Sequence, residues 1–501
     1  MKRKILSICT VLFTVAAIAG CSGKEAAVPE SKAPSATDSQ SETERLSDGG
    51  EGTDIDETNT PAAGDESGDT NKTTAGDAKS LDAKAYVDML CNGDADTLTE
   101  SYEYTETLLS ALEAQGGFAG LQASLAQLGK LNKMGEPIVG EMSGYTTYSV
   151  PCQFEKQNLN ITLSVDSDNK IAGIATTQYD EGVQDAAAVP EGVTELELNL
   201  PVAGHDGWEL PGKLTLPAGE GPFPVVILVQ GSGPSDMDET VGPNKPFRDL
   251  AYGLAGKGIA VYRYDKRTYV YGTELAADTT LTLDDETVDD AASAFALLKG
   301  QDMIDASRIF VLGHSLGGQA LPRINGAITD AGDTAAGYIF FAAPARKLTE
   351  LMREQYDFIY SLTPELSEEQ QAQKAEIYAD LDKLQDVSAL ADDAAVIGAY
   401  GTYWKDLVAY DQLKMAADIT QPCLVLQGEE DYQVTLEDYN LWKYTYESAG
   451  NWEFKTYPGL THLFMPGVKA NAGAEYSKQQ TVDAQVVADI AEFINAAGEH
   501  Q

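Results

Sequence analysis

Cysteine is scarce in this chain: five in 501 residues, at positions 9, 21, 91, 152 and 423. That number and spacing exclude a small secreted module held by a disulfide framework, and no Cys/His grouping has the spacing of a zinc site. Histidine is scarcer still, at 205, 314, 462 and 500 alone, so chemistry that needs an imidazole has few residues to draw on. Positive charge is also short. Against 79 Asp plus Glu stand 34 Lys plus Arg, a net charge of −45, which argues against nucleic acid or an anionic lipid surface as a direct partner. Phe, Tyr and Trp are missing altogether from residues 22 to 80. What the chain does have is length and 43% hydrophobic residues, enough for one large core or for two domains.

Residues 1 to 20 open with Lys2, Arg3 and Lys4, continue through an apolar run from Ile5 to Ile18 and end in small residues. This is the layout of a secretory signal, and the run is too short for a comfortable transmembrane helix. Ile18-Ala19-Gly20-Cys21 looks like a bacterial lipobox, in which Cys21 is lipidated and becomes the first mature residue. Export and a lipid anchor at the extracytoplasmic membrane face are the expectation, with Cys91, Cys152 and Cys423 as lone buried thiols. Residues 22 to 80, rich in Ser, Thr, Gly, Asp and Glu, cannot bury enough apolar surface to offset the entropy of ordering. Together with Cys21 they read as an acidic, disordered tether, with an end-to-end distance of roughly 40 to 45 Å.

From 81 to 180 the pattern is that of a small α+β domain. Apolar residues at Leu108, Leu109, Leu112, Leu121, Leu125 and Leu128 fall largely at three and four spacings. Tyr145 to Val150, Leu159 to Val165 and Lys170 to Ile174 alternate as strands, the last two joined at Asp166-Ser-Asp-Asn. The second domain, 190 to 498, is of the α/β class. Thr194 to Leu200 and Leu214 to Leu216 alternate like a leading antiparallel hairpin. Pro224–Val229, Ile259–Tyr264, Arg308–Leu312, Tyr338–Ala342 and Cys423–Leu426 are nearly unbroken apolar runs, as strands of a parallel sheet covered on both faces should be. Helical patterns lie between them, among them Phe247 to Gly256 and Val288 to Leu298. Residues 346 to about 418 carry helical spacing and no convincing strand, which reads as a helical cap over the carboxyl ends of the strands. Its aromatics Tyr403 and Trp404 are candidates for lining a substrate pocket.

Gly313-His314-Ser315-Leu316-Gly317 follows the Arg308–Leu312 strand and leads into a helical stretch. This is G-x-S-x-G in the strand, sharp turn, helix setting of a nucleophile elbow. A serine hydroxyl needs a base, and His462, in Gly459-Leu-Thr-His462-Leu-Phe after the Trp452–Tyr457 strand, is the credible one. His205 and His500 lie in polar or terminal surroundings, and His314 sits inside the elbow pointing away from the nucleophile. The acid that orients the base should lie in the loop Gln427-Gly-Glu-Glu-Asp431-Tyr, with Asp431 preferred and Glu430 the alternative. The order Ser315, Asp431, His462 is that of an α/β-hydrolase. The oxyanion hole is expected from the N–H groups of Leu316, at the start of the elbow helix, and of Ser232, in Gln230-Gly-Ser232-Gly-Pro after an early strand.

With these residues stand Gly242-Pro-Asn-Lys-Pro-Phe-Arg-Asp-Leu, Arg263-Tyr-Asp-Lys-Arg and Tyr403-Trp-Lys-Asp-Leu. Together they resemble the bacterial α/β-hydrolase carboxylesterases that carry a helical cap, related to the serine aminopeptidase and dienelactone-hydrolase groups. The resemblance covers roughly 190 to 498. Many members have His where Gln230 stands, which bears on substrate preference. Asp265 and Arg267 match a family pattern read as a structural ion pair. The segment 81 to 180 resembles an uncharacterised cone-shaped α+β domain often found ahead of bacterial serine hydrolases. What the resemblance implies is hydrolysis of a small-molecule ester without metal or organic cofactor, with Ser315, Asp431 and His462 at the family's triad positions. Amide hydrolysis of the aminopeptidase type and a non-catalytic binding lipoprotein are the other readings.

Overall fold

The computed structural model describes residues 81–113, 117–142, 145–166, 168–178, 189–363, 365–366 and 368–497. The expected signal sequence, Cys21, the expected tether and His500 lie outside the described residues.

Four short helices open the described chain, Ala83–Asn92, Ala95–Ser101, Glu106–Glu113 and Gly117–Ala126. Asp82 and Asp94 cap the first two, accepting from the amides of Ala85 and Thr97 at 3.0 and 2.9 Å. Five antiparallel strands follow: β1 (Leu131–Met134), β2 (Ile138–Met142), β3 (Tyr145–Phe154), β4 (Asn158–Val165) and β5 (Ile171–Gln178). Period-two alternation in β4 buries Leu159, Ile161, Leu163 and Val165. Leu159, Ile161 and Leu163 pack with Tyr86, Val87 and Leu90 of the first helix. Strands β1 and β2, which alternation does not reveal, both pair with β3. Cys152 is buried here, but Cys91 is only half-buried rather than enclosed. Burial pushes both thiols up, to about 12 and about 11, which leaves little reactive thiolate.

The second sheet begins with β6 (Thr194–Glu197). A two-rung ladder of β7 (Leu200–Pro201) and β8 (Glu209–Leu210) comes next, then β9 (Gly212–Leu216), which pairs antiparallel with β6. The runs read as buried strands are β10 (Phe223–Val229), β11 (Ala260–Tyr264), β12 (Ile304–His314), β13 (Gly337–Phe341) and β16 (Cys423–Gly428). Two short strands, β14 (Ala395–Val396) and β15 (Ala399–Tyr400), precede β16, and β17 (Trp452–Tyr457) completes the set. The eight-stranded order is β17-β16-β13-β12-β10-β11-β9-β6, parallel from β17 to β11.

Both faces of this sheet are covered, which explains the unbroken apolar runs. Val226, Leu228, Phe310, Leu312 and Ile339 point to one side, against the helices Pro246–Ala255 and Ala484–Ala497. Their neighbours Val225, Ile227, Val229, Ile309, Val311 and Phe340 point to the other, against Asp289–Lys299, Leu316–Asp330 and Leu436–Tyr446. The chain moves from β10 to β11 on one side and then to β12 on the other. The strand order therefore reverses at β10/β12, and a crevice opens at their carboxyl ends.

Between β13 and β16 the chain is mainly helical, with Leu348–Ser361, Glu368–Lys383 and Gly401–Ala409 the longer pieces. The β14-β15 ladder is the exception to the strandless reading of this region. Arg323 of the elbow helix pairs with Asp406, two nitrogens reaching its two carboxylate oxygens at 2.8 and 3.0 Å. The insertion leaves and returns at one place, because Gln412 Nε2 donates to Arg346 O at 2.8 Å.

The expected Asp265–Arg267 pair does not form. Arg267 makes a buried bidentate contact with Asp290 at 2.7 and 2.8 Å, while Asp265 accepts from Met237 N–H at 2.7 Å. Burial, reinforced by Asp236 and Asp238, lifts the Asp265 carboxyl to about 7 despite that amide. A carboxyl raised in this way favours the folded state most fully below about pH 4 and withdraws that support as the pH climbs to about 7. Asp265→Asn, which keeps an oxygen acceptor and cannot ionise, is expected to open a melting-temperature advantage over the wild type across that interval. The advantage should level off at about 2 °C or more above pH 7, as read by differential scanning calorimetry over pH; a constant gap would refute the assignment.

Candidate active site

The elbow follows β12 directly. Ser315 has φ 51° and ψ −118°, a region that costs a residue with a side chain about 1 to 3 kcal/mol. The turn is held by the Ser315 amide, which donates to Phe341 O at 2.9 Å. It also needs its flanking glycines. A Cβ on Gly313 would run into the Gly317 carbonyl, and one on Gly317 into the carbonyls of Val229 and Gln230. The register pairs Val229 with Gly313, so the loop after β10 arrives beside the elbow. There a Cβ on Gly231 would lie 3.2 Å from that of Ser315. Leu316 is the first residue of the elbow helix, where an amide has no partner within the helix.

His462 lies in the loop after β17, and its Nδ1 is 2.7 Å from Asp431 Oδ2. Both are almost completely enclosed. Asp431 Oδ2 also accepts from Gln427 Nε2 at 2.9 Å, while Oδ1 takes the amides of Gln433 and Val434 at 2.7 and 3.0 Å. The neighbouring acids are engaged elsewhere: Glu430 accepts from the Lys469 amide and Glu429 from the Thr456 hydroxyl.

A second acid–histidine pair lies behind the first. His314 Nδ1 is 2.9 Å from Glu239 Oε1, and its Nε2 is 3.1 Å from the His462 carbonyl. The two imidazoles are 4.6 Å apart, centroid to centroid. Burial alone would push His314 down; the Glu239 carboxylate outweighs it and the net shift is upward. The same Glu239 oxygen accepts the Gly231 amide at 2.7 Å. One carboxylate therefore contacts both the loop after β10 and the elbow, and His314 carries that link on to the loop of His462.

Beside Ser315 opens a narrow, mainly apolar recess. Ser232 and Ser315 stand on one side of it, with Leu348, Leu351, Met352, Gln355 and Tyr356 of the first insertion helix on the other. Those five fall at i, i+3, i+4, i+7 and i+8, one face of a helix. Periodicity reveals the stripe but not that it fronts the crevice. Tyr403 and Trp404 do not line this recess. Both are enclosed in the packing of the Gly401–Ala409 helix, Tyr403 donating to Glu286 Oε2 at 2.6 Å and Trp404 Nε1 to Val396 O at 2.8 Å. Their polar ends are thus satisfied in the core. His205 stacks on Trp208 at 4.3 Å, well away in sequence from the elbow. Among the described residues no group of three or more His, Cys, Asp or Glu side chains is disposed to hold a metal ion.

The chain is 36% identical over 350 residues to Esterase EstD of Thermotoga maritima, a match spanning 70% of this chain and 80% of that one. Residues 244–466 match the family described as serine aminopeptidase, S33. This chain belongs to that family of α/β-hydrolases. Among solved structures, the α/β-hydrolase is similar to Est1E from Butyrivibrio proteoclasticus, with 18% identity over 60% of this chain and 98% of that one and a TM-score of 0.40. It is similar also to the hyperthermophilic esterase of Pyrobaculum calidifontis, with 16% identity over 61% and 84% of the two chains and the same TM-score. In this α/β-hydrolase, Glu239, Lys266 and Glu286 contact or support the loop after β10, yet the residue pattern alone did not single them out. The clue was the run of short motifs around them, whose contacts become visible only in the fold.

Proposed function

We propose that this α/β-hydrolase cleaves carboxylic esters through a Ser315–His462–Asp431 triad and an acyl-enzyme intermediate. It is a carboxylic ester hydrolase, in keeping with the relative named Esterase EstD. The observation that carries the mechanism is the 2.7 Å contact of His462 Nδ1 with Asp431, made at the crevice that holds the Ser315 elbow. Ser315 Oγ attacks the acyl carbon as His462 Nε2 accepts its proton. Asp431 keeps the Nδ1 proton in place, and the amides of Ser232 and Leu316 bind the oxyanion. His462 returns the proton to the departing alcohol, and water repeats the sequence to release the acid and restore Ser315.

The side chains around the recess favour short acyl groups. Across a p-nitrophenyl ester series from acetate to decanoate, the chain should prefer the short members by about tenfold or more. Met352→Ala, which opens the apolar wall, should move the optimum to longer chains; an unchanged optimum would show that the acyl group lies elsewhere. Amide hydrolysis is the second reading, favoured by the aminopeptidase description of the family. Faster turnover of aminoacyl anilides than of any ester in the series would put it first. Reaction with a fluorophosphonate probe should map to Ser315, and a folded protein that takes up no probe would exclude both.

Lipidation at Cys21, with the enzyme held at the extracytoplasmic membrane face, is part of the same proposal and rests on Ile18-Ala-Gly-Cys21. The full chain expressed in bacteria should incorporate radiolabelled palmitate, and Cys21→Ser should not; equal labelling of the two would refute the anchor.

A further inference from the structure

Three short motifs take no part in the triad: Arg263-Tyr-Asp-Lys266-Arg, Thr282-Leu-Asp-Asp-Glu286 and Tyr403-Trp-Lys-Asp-Leu. In the fold, one side chain from each joins a buried polar chain that ends at the loop after β10. Lys266 Nζ donates to Gly231 O at 2.8 Å and to Glu286 Oε1 at 2.6 Å. Glu286 Oε2 accepts from the Tyr403 hydroxyl at 2.6 Å. None of the three side-chain residues is more than 3% exposed. An ammonium buried this deeply gives up most of its hydration, a cost that an apolar side chain filling the same space would avoid.

We propose that Lys266 is a positioning residue for the oxyanion hole: its ammonium sets the plane of the Gly231–Ser232 peptide so that the Ser232 N–H faces the reacting carbonyl oxygen. Glu286 and Tyr403 tie that setting to the cap. The proposal rests on the triad and oxyanion assignments above and adds what holds one donor in place. In a trans peptide the C=O and the following N–H point in opposite directions. A Gly231 carbonyl bound to Lys266 therefore turns the Ser232 N–H away from Lys266, and Ser232 borders the recess together with Ser315.

The need for such a clamp follows from the glycine. A Cβ at position 231 would crowd Ser315, 3.2 Å from that residue's own Cβ, and glycine is the residue least restricted in its backbone angles. Its amide is bound by Glu239 at 2.7 Å and its carbonyl by Lys266, so the peptide planes on both sides are fixed. The Lys266 backbone N–H donates to Ser235 O at 3.0 Å, so one residue grips the 231–235 loop at both ends. A charged donor on the carbonyl also draws electron density from the amide, strengthening the N–H on its far side as a donor. Tyr403 remains a proton donor to Glu286, since burial first and the carboxylate second hold its hydroxyl well above the ordinary value.

The test uses the full chain with Lys266→Met and Glu286→Gln combined, which leaves no unpaired buried charge, and Tyr403→Phe alone. Rates are expressed per site titrated with the fluorophosphonate, so that a misfolded fraction drops out. The double variant should lose roughly 30-fold or more in kcat on a p-nitrophenyl ester, with KM within about threefold of the wild type. Its affinity for butylboronic acid, which forms a tetrahedral anion on Ser315, should weaken in proportion. Tyr403→Phe should show the same signature at smaller size, roughly threefold. A double variant with kcat within about twofold of the wild type would overturn the proposal, as would a fall in kcat with boronic acid affinity unchanged. A wild type that neither hydrolyses esters nor takes up the probe would overturn the triad reading and this proposal with it.

Discussion

Ser315→Gly is expected to give a protein that no longer hydrolyses esters and that melts at a higher temperature than Ser315→Ala. Both variants lack the nucleophile, so kcat/KM should fall by about 10⁴-fold or more in each. They differ in the backbone. At φ 51° and ψ −118° a Cβ costs about 1 to 3 kcal/mol that glycine does not incur. Against this stands the extra freedom of glycine in the unfolded chain, about 0.5 to 1 kcal/mol. The net gain is up to about 2 kcal/mol, or a few degrees of melting temperature, and calorimetry on the three proteins reads it directly. If the glycine variant melts no higher than the alanine variant, any strain in the elbow is no greater than the roughly 1 kcal/mol that glycine loses to the unfolded chain; if either retains activity, Ser315 is not the nucleophile. With the expected higher melting of the glycine variant, the wild type is less stable than it could be at the residue it needs most, a trade between stability and activity.

Asp431→Asn is the second large effect, for a reason legible in its hydrogen bonds. Its Oδ1 accepts two backbone amides, an arrangement an asparagine oxygen can keep. That forces the new NH₂ group toward His462 Nδ1, where it donates, and the imidazole proton moves to Nε2. A base protonated at Nε2 cannot accept from Ser315, so kcat should fall by about 10⁴-fold with the fold intact. The NH₂ group would also meet Gln427 Nε2, another donor, so some loss of stability should accompany the loss of rate. Glu430→Gln is the control. Its carboxylate accepts only the Lys469 amide among the hydrogen bonds of this site, and activity should stay within about threefold. The reverse ranking of the two variants would place the acid at Glu430.

How far the fold could be read from residues depended on how completely each element is buried. Strands β10 to β13 and β16 stood out because both faces are covered, which leaves no polar alternation to confuse with a surface strand. Strands β1 and β2 did not. Ile138 and Val139 of β2 are 52% and 61% exposed, so burial imposes no period on that stretch. The two-residue strands β14 and β15 are too short to carry a pattern at all. At the site, the elbow glycines were legible because their clashes are local, within a few residues of Ser315 or on the adjacent strand. Which of Glu429, Glu430 and Asp431 meets His462 is visible only in the loop geometry, since three consecutive carboxylates are chemically alike. The partner of Arg267 is hidden from the sequence for the same kind of reason: Asp265 is near in sequence, but Asp290 is brought to it by the Asp289–Lys299 helix. Tyr403 and Trp404 show the limit of composition, because an aromatic pair in a helix has the same signature facing a substrate or facing a core.

The hydrogen bond from Gln412 to the Arg346 carbonyl closes residues 347–411 into a loop whose two ends are in contact. A segment stapled in this way behaves as a cassette. Its length can change at little entropic expense, since the closure term grows only with the logarithm of the loop, and the strands beneath need not shift to accommodate a replacement. Exchange of the whole segment is thus a route by which one catalytic frame could acquire different substrates. The contacts of Asp406 with Arg323 and of Tyr403 with Glu286 set the terms of such an exchange. A transplanted segment that seats an equivalent carboxylate and phenol would leave the crevice as it is, and one that lacks them would leave Arg323 and Glu286 to find other partners.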